Sequence, residues 1–209
     1  MKPIYALLIL AALIGGIDLL SINQATGADY RTELSYVLGL SVLFFLSKEM
    51  ANMRSILGLM IFLILLEETL FMFIYPAYSV LSSFAAELLA LGAFVLLDGL
   101  AFFIFKNRWY LTILSIKWFT LSEDNAGKYG PHPVDAPLTG VFLIMWIYSL
   151  LTFIEAFAVK FAVFPNMNFF YDTINGVRSF GLGLAVAISV GGFIISWKQR
   201  AKFHEVKQQ

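Results

Sequence analysis

The chain has 209 residues, of which 60% are hydrophobic and 13% are charged, and its mean hydropathy is +0.81. Soluble domains carry about 25% charged residues, so this composition excludes an ordinary soluble domain and predicts an all-α, multi-pass membrane protein with one transmembrane domain, residues 1–209. The formal net charge is zero, which gives no support for a nucleic-acid partner.

The chain contains no cysteine, and its two histidines, His132 and His204, stand outside the apolar runs. Disulfides, thiolate metal sites and iron–sulfur clusters are therefore excluded. No pair of histidines is placed to ligate a haem inside the membrane. We expect neither a metal site nor a bound cofactor.

Two apolar runs begin the chain. We predict that the first, Ile4–Ile22, is a retained transmembrane helix rather than a cleaved signal peptide, because Asp18 interrupts it and no clean small-residue cleavage site follows. A polar link, Asn23–Glu33, leads to the second run, Leu34–Ser47, which is short for a span. Tyr30 and Tyr36 on one side and Lys48 on the other can anchor the ends of this run at the two membrane interfaces.

The third and fourth apolar runs carry acidic residues. Ile56–Tyr75 is closed by Pro76 and has the about 20 apolar residues that cross a hydrocarbon core of about 30 Å. Val80–Phe105 returns across the membrane. The acids are Glu67 and Glu68 in the third run, and Glu87 and Asp98 in the fourth.

A segment of mixed character follows. Trp109–Leu121 is aromatic and apolar but is interrupted by Lys117, and it is too short to span, so we predict an interfacial helix. Ser122–Pro137 is a polar loop rich in turn-forming residues. Because this is the longest polar excursion, residues 109–137 are the expected binding surface for a membrane-protein partner.

Two further spans end the membrane region. Thr139–Phe164 carries Glu155 and Lys160, and Phe180–Trp197 is preceded by Arg178 at the helix edge. Small residues recur along the last span, and such patterns allow close helix packing. They are Gly181, Gly183, Ala185, Ala187, Ser189, Gly191 and Gly192. We expect a packing face that includes Gly183 and Ala187.

The distribution of basic residues predicts the orientation. Alternate segments are basic, and the segments between them hold only Arg31 and Arg178. Under the positive-inside rule this favours six spans with both termini cytoplasmic, in the cytoplasmic membrane of a bacterium or archaeon. The basic residues are Lys2, Lys48, Arg54, Lys106, Arg108, Lys117, Lys128, Lys198, Arg200, Lys202 and Lys207.

Acids inside membrane spans are the candidate functional residues. A charge at the centre of a span costs about 2.5–3.5 kcal/mol on insertion scales, and such residues usually mark ion, proton or substrate paths. Most fall in the predicted outer half, whereas Asp98 stands apart in the inner half on the same helix stripe as Glu87. The candidate substrate- or ion-binding residues are Asp18, Glu67, Glu68, Glu87, Asp98 and Glu155.

Three functions fit this sequence. The first is a transporter or channel-like protein whose acidic cavity binds a cation or a proton. The second is an intramembrane enzyme that acts on a lipid or isoprenoid by proton donation from a glutamic acid. The third is a non-catalytic subunit of a membrane complex, in which the acids only hydrogen-bond between helices. The expected partners are the lipid bilayer and a small cation, a proton or a lipid-like substrate.

Overall fold

The computed structural model describes residues 30–48, 50–77, 80–108, 110–111, 131–161 and 169–206. Regular structure in these ranges is helical, which confirms the all-α prediction. Five helices lie in the described part of the chain: α1 (Tyr30–Leu46), α2 (Ala51–Ala77), α3 (Ser83–Lys106), α4 (Asp135–Lys160) and α5 (Phe169–Val206).

Four of these helices, α2 to α5, are long and apolar enough to cross a membrane by length and composition. Each exceeds the about 20 residues that a hydrocarbon core of about 30 Å requires. The apolar part of α1, Ser35–Leu46, is shorter. An apolar helical bundle of this kind indicates a membrane protein, while the total of six spans stays a prediction.

Several predicted segments fall outside the described residues. They are the first span, Ile4–Ile22, with its Asp18, the interfacial helix Trp109–Leu121 apart from Tyr110 and Leu111, and the Ser122–Pro137 loop before Pro131. The partner surface expected over residues 109–137 is therefore described only in small part.

Four helices begin earlier than the apolar runs of the sequence. α1 begins at Tyr30 instead of Leu34, and α2 begins at Ala51 instead of Ile56. α4 begins at Asp135 instead of Thr139, a start that Pro137 permits because the first turn of a helix does not use its own N–H groups. α5 begins at Phe169 instead of Phe180. Arg178, expected at a helix edge, consequently lies inside α5.

The helices pack as two compact units. Among the described residues, the first unit contains α1, α2 up to Leu65, and α5 from Val186 onward, together with His132. The second unit contains the rest of α2, all of α3 and α4, and α5 up to Ala185.

The core of the first unit consists of aliphatic side chains from α1 and α2 with one aromatic ring from α5. These buried residues are Leu40, Leu43, Met53, Ile56, Leu57, Met60 and Phe193. Gly58 lies against the ring of Phe44, since a Cβ there would be 3.2 Å from Phe44 Cε2. His132 Nε2 and Ser196 Oγ are 2.9 Å apart. This hydrogen bond connects the described end of the loop before α4 to α5.

In the second unit, α3 and α4 are antiparallel neighbours. Phe84, at the start of α3, meets Phe157, late in α4. Phe105, at the end of α3, stacks on Phe142, early in α4, with ring centroids 5.2 Å apart. This order of contacts holds the two helices together over their whole length.

An ion pair joins the end of α3 to the start of α4. Arg108 donates from Nε to Asp135 Oδ1 and from Nη2 to Asp135 Oδ2, each at 2.7 Å, which is the bidentate geometry that favours arginine over lysine. Asp135 is also the first residue of α4, where a negative charge interacts favourably with the helix dipole. Arg108 is 1% exposed, so this junction is part of the packed interior.

The small residues of α5 do not share one face. Gly181, Ala185, Ser189 and Gly192 are buried, whereas Ala187 is exposed. Ala187 is two residues away from both Ala185 and Ser189, which corresponds to about 200° around a helix. The buried face therefore differs from the one expected around Gly183 and Ala187.

Candidate functional site

A network of buried polar side chains lies within the second unit. Arg178 is the central residue of this network. Its Nη1 donates to Asp98 Oδ2 and its Nη2 donates to Glu67 Oε1, the latter at 2.6 Å. Ser149 Oγ also donates to Asp98 Oδ2, at 2.5 Å. The four residues come from α5, α3, α2 and α4, so each of the four long helices contributes one side chain.

Burial makes this network strongly dependent on its own contacts. Arg178 is 7% exposed and Asp98 is 3% exposed, and a buried charge is tolerated only when it is paired and hydrogen-bonded. The guanidinium carbon of Arg178 also lies 3.8 Å from the centroid of the Phe94 ring, where the electron-rich face attracts a cation. The side chain of Glu67 is 27% exposed, so its contact with Arg178 is less shielded from solvent.

Two members of this network were not among the candidate residues from the sequence. Arg178 was expected at a helix edge, because the apolar run begins only at Phe180. The aromatic run Phe169–Tyr171 followed by Asp172 would have indicated the earlier helix start, since acidic residues favour the first turn. No comparable signal marks Ser149, a small hydroxyl residue inside an apolar helix.

Glu155 occupies a different position from the Arg178 network. It is 4% exposed, and its Oε2 accepts a hydrogen bond of 2.7 Å from the backbone N–H of Tyr171 in the first turn of α5. The first N–H groups of a helix have no partner within the helix, so Glu155 caps α5 from α4. Its Oε1 is buried and has no hydrogen-bond partner among the described residues. Close by, Tyr148 and Thr173 hydrogen-bond through their hydroxyl groups.

A cleft of about 270 Å³ lies between α2, α3 and α5 in the same unit. Polar and apolar groups line it: Phe71, Glu87, Ala90, Leu91, Phe94, Tyr171, Ile174 and Asn175. Among the described residues of this lining, Glu87 is the only acidic one, and it is half-buried. Within the described ranges it has no hydrogen bond or ion pair.

The structure thus separates the acids that the sequence grouped together. Glu67 and Asp98 share Arg178, although Asp98 was expected to stand apart. Glu87 lines the cleft, and Glu155 caps α5. Glu68 follows Glu67 on α2, half-buried, and does not line the cleft. Asp18 lies outside the described residues.

Phe94 is the residue that the cleft and the network share, because its ring lines the cleft and contacts Arg178. No group of three or more potential metal ligands is close enough to hold a metal ion in the part of the chain that the structure describes. The site therefore presents a carboxyl group in a partly aromatic cleft, next to an arginine that two other carboxyl groups contact.

Comparison of the chain with protein-family models, with curated proteins and with solved structures finds no match.

Proposed function

We propose that this chain is a membrane transport protein that binds a proton or a small cation at Glu87. The supporting observation is the contrast between Glu87 and the other acids. Glu67 and Asp98 are engaged by Arg178, and Glu155 caps a helix. Glu87 lines a cleft and has no polar partner among the described residues.

The charge distribution near the cleft supports the same proposal. Glu87 is the charged side chain in the described lining of the cleft, whereas Asp98 and Glu67 pair with Arg178 and do not line it. A charge of one sign between mostly apolar walls raises the local concentration of counter-ions. An incoming cation would supply the counter-charge that Glu87 lacks among the described residues.

The proposal includes the membrane topology that the basic residues predict. The chain would cross the cytoplasmic membrane of a bacterium or archaeon six times, with both termini in the cytoplasm. Glu87 would then lie in the outer half of the membrane.

Exchange of cations for protons in proteoliposomes tests this function. Vesicles that contain a pH-sensitive dye and an imposed pH gradient receive Na⁺, K⁺ or choline, and the rate of gradient collapse is measured. We expect protein-dependent collapse with at least one cation. Glu87→Gln should reduce the rate about 30-fold, because removal of one partner of a close charge pair costs about 2 kcal/mol or more.

Asp172→Asn is the matched control, because Asp172 is an exposed acid of α5 that does not line the cleft. It should leave the rate unchanged. If Glu87→Gln retains the wild-type rate with every cation, Glu87 does not carry transport. Circular dichroism of both variants checks that the helices are intact.

A further inference from the structure

The lining of the cleft is more specific than a negative charge alone. Beside Glu87 it presents three aromatic rings, those of Phe71, Phe94 and Tyr171, and the amide of Asn175. The rings of Phe71 and Phe94 are in contact, with centroids 4.8 Å apart and planes at 41°. Aromatic faces carry negative electrostatic potential and attract cations within about 6 Å.

The same unit already uses aromatic rings to hold cationic groups. Arg178 lies over Phe94, and Lys160 Nζ lies 4.8 Å from the centroid of the Phe84 ring. Both are nitrogen cations attached to carbon chains, and each lies within the about 6 Å at which an aromatic ring attracts a cation.

A small inorganic cation fits this lining poorly. Hard metal ions need several oxygen ligands to replace their hydration shell, and the cleft offers one carboxyl group, one amide and one phenol. Its remaining walls are carbon, including Leu91 and Ile174. An alkylated ammonium ion instead buries its carbon atoms against such walls and is recognised by aromatic rings.

From these observations we propose that the cleft binds a small organic ammonium ion, with its charge between the Glu87 carboxylate and the rings of Phe71 and Tyr171 and its alkyl groups against Leu91 and Ile174. This inference rests on the proposed function and specifies its substrate class. A volume of about 270 Å³ is just below the range of about 300–1,000 Å³ of sites for drug-sized ligands, which limits the ligand to a compact molecule.

Protection of Glu87 from carbodiimide labelling tests the inference. The purified protein is treated with dicyclohexylcarbodiimide in the presence of choline, of Na⁺ at equal ionic strength, or of 3,3-dimethylbutan-1-ol, the uncharged analogue of choline. Mass spectrometry then measures the labelled fraction of Glu87. Choline should protect at a concentration at least about tenfold below that of Na⁺, and the uncharged analogue should not protect.

Substitution of one ring separates aromatic recognition from simple charge attraction. Phe71→Leu should raise the choline concentration for half-protection about five- to thirty-fold. Phe71→Tyr keeps the ring, so this concentration should stay near the wild-type value. Phe62→Leu is the matched control, because Phe62 lies exposed on the same helix and does not line the cleft. It should leave protection unchanged.

The outcomes separate this inference from the proposed function. The organic-cation inference is wrong if Na⁺ protects Glu87 as well as choline does, or if the Phe71→Leu variant needs the same choline concentration for half-protection as the wild type. Cation binding at Glu87 stands in both cases. If Glu87 is labelled equally under all conditions and Glu87→Gln transports normally, both are wrong.

Discussion

Arg178 holds together more of the described structure than any acid that the sequence singled out. Its guanidinium group donates to carboxyl groups on two other helices and lies on an aromatic ring. A planar fork of N–H donors can satisfy two carboxyl groups at once, which the single ammonium of lysine does less well. We therefore interpret Arg178 as the residue that sets the relative rotation of α2, α3 and α5 within the second unit.

Removal of this charge should destabilise the protein strongly. Arg178→Met would leave Asp98 buried without its counter-charge, and breaking a buried pair in this way costs about 3–5 kcal/mol. The expected result is a clear loss of thermal stability in detergent, which circular dichroism measures as a lower unfolding temperature. Glu67 contributes less to this effect because its side chain is 27% exposed.

Arg54→Met is the comparison for that experiment. Arg54 is exposed and lies over the ring of Phe44, with its guanidinium carbon 4.7 Å from the ring centroid. An exposed contact of this kind is worth about 0.5–1 kcal/mol. Equal losses of stability in the two variants would contradict the central role of Arg178.

At the scale of the helix, the packing of α5 depends on which of its small residues lie against neighbouring helices. A Cβ at Gly181 would be 2.5 Å from Sδ and 2.7 Å from Cγ of Met145 on α4. Both atoms belong to a side chain that is 5% exposed, so they have little room to move. Gly181 is thus a position of close approach between α4 and α5.

Two substitutions on α5 should differ in their effect on stability. Gly181→Leu forces Met145 or the helix backbone to shift, and overpacking of this kind costs about 1–3 kcal/mol. Ala187→Leu places the same side chain at an exposed position, where changes stay within about 0.5 kcal/mol. Thermal unfolding of both variants in the same detergent measures the difference. Similar unfolding temperatures would show that this face of α5 tolerates bulk.

For the molecule as a whole, the absence of cysteine gives a direct test of the proposed topology. Single cysteines introduced at Asn23, Ala126 and Gln209 can each be probed with a membrane-impermeant maleimide in intact cells. We expect Asn23→Cys to be labelled from outside, because the basic residues assign that segment to the outer surface. Ala126→Cys and Gln209→Cys should be labelled only after the membrane is permeabilised.

The outcome at Ala126 carries the most information. Its segment contains Lys117 and Lys128, and the positive-inside rule assigns it to the cytoplasm. Labelling of Asn23→Cys and Ala126→Cys from the same side would contradict the six-span arrangement.

The sequence by itself determined the class of protein and the approximate positions of α2 to α5. Hydrophobic length is a local property, so an apolar run can be recognised as a span without knowledge of its neighbours. The shared stripe of Glu87 and Asp98 on α3 was also predictable, because helical periodicity defines which residues share a face. The start of α5 was misjudged because its first turns mix aromatic residues with Asp172, Asn175 and Arg178, and these polar residues interrupt the apolar run although the segment is helical.

Only the tertiary structure decided which acids have partners. Glu67, Glu87 and Asp98 are equivalent as carboxyl groups in apolar sequence, yet Arg178 contacts the first and the last, while Glu87 lines a cleft. This choice depends on the rotation of each helix about its axis and on the depth at which α5 begins, and neither is specified by local composition. A side chain 80 positions away in the sequence from Asp98 therefore determines which of these carboxyl groups are paired.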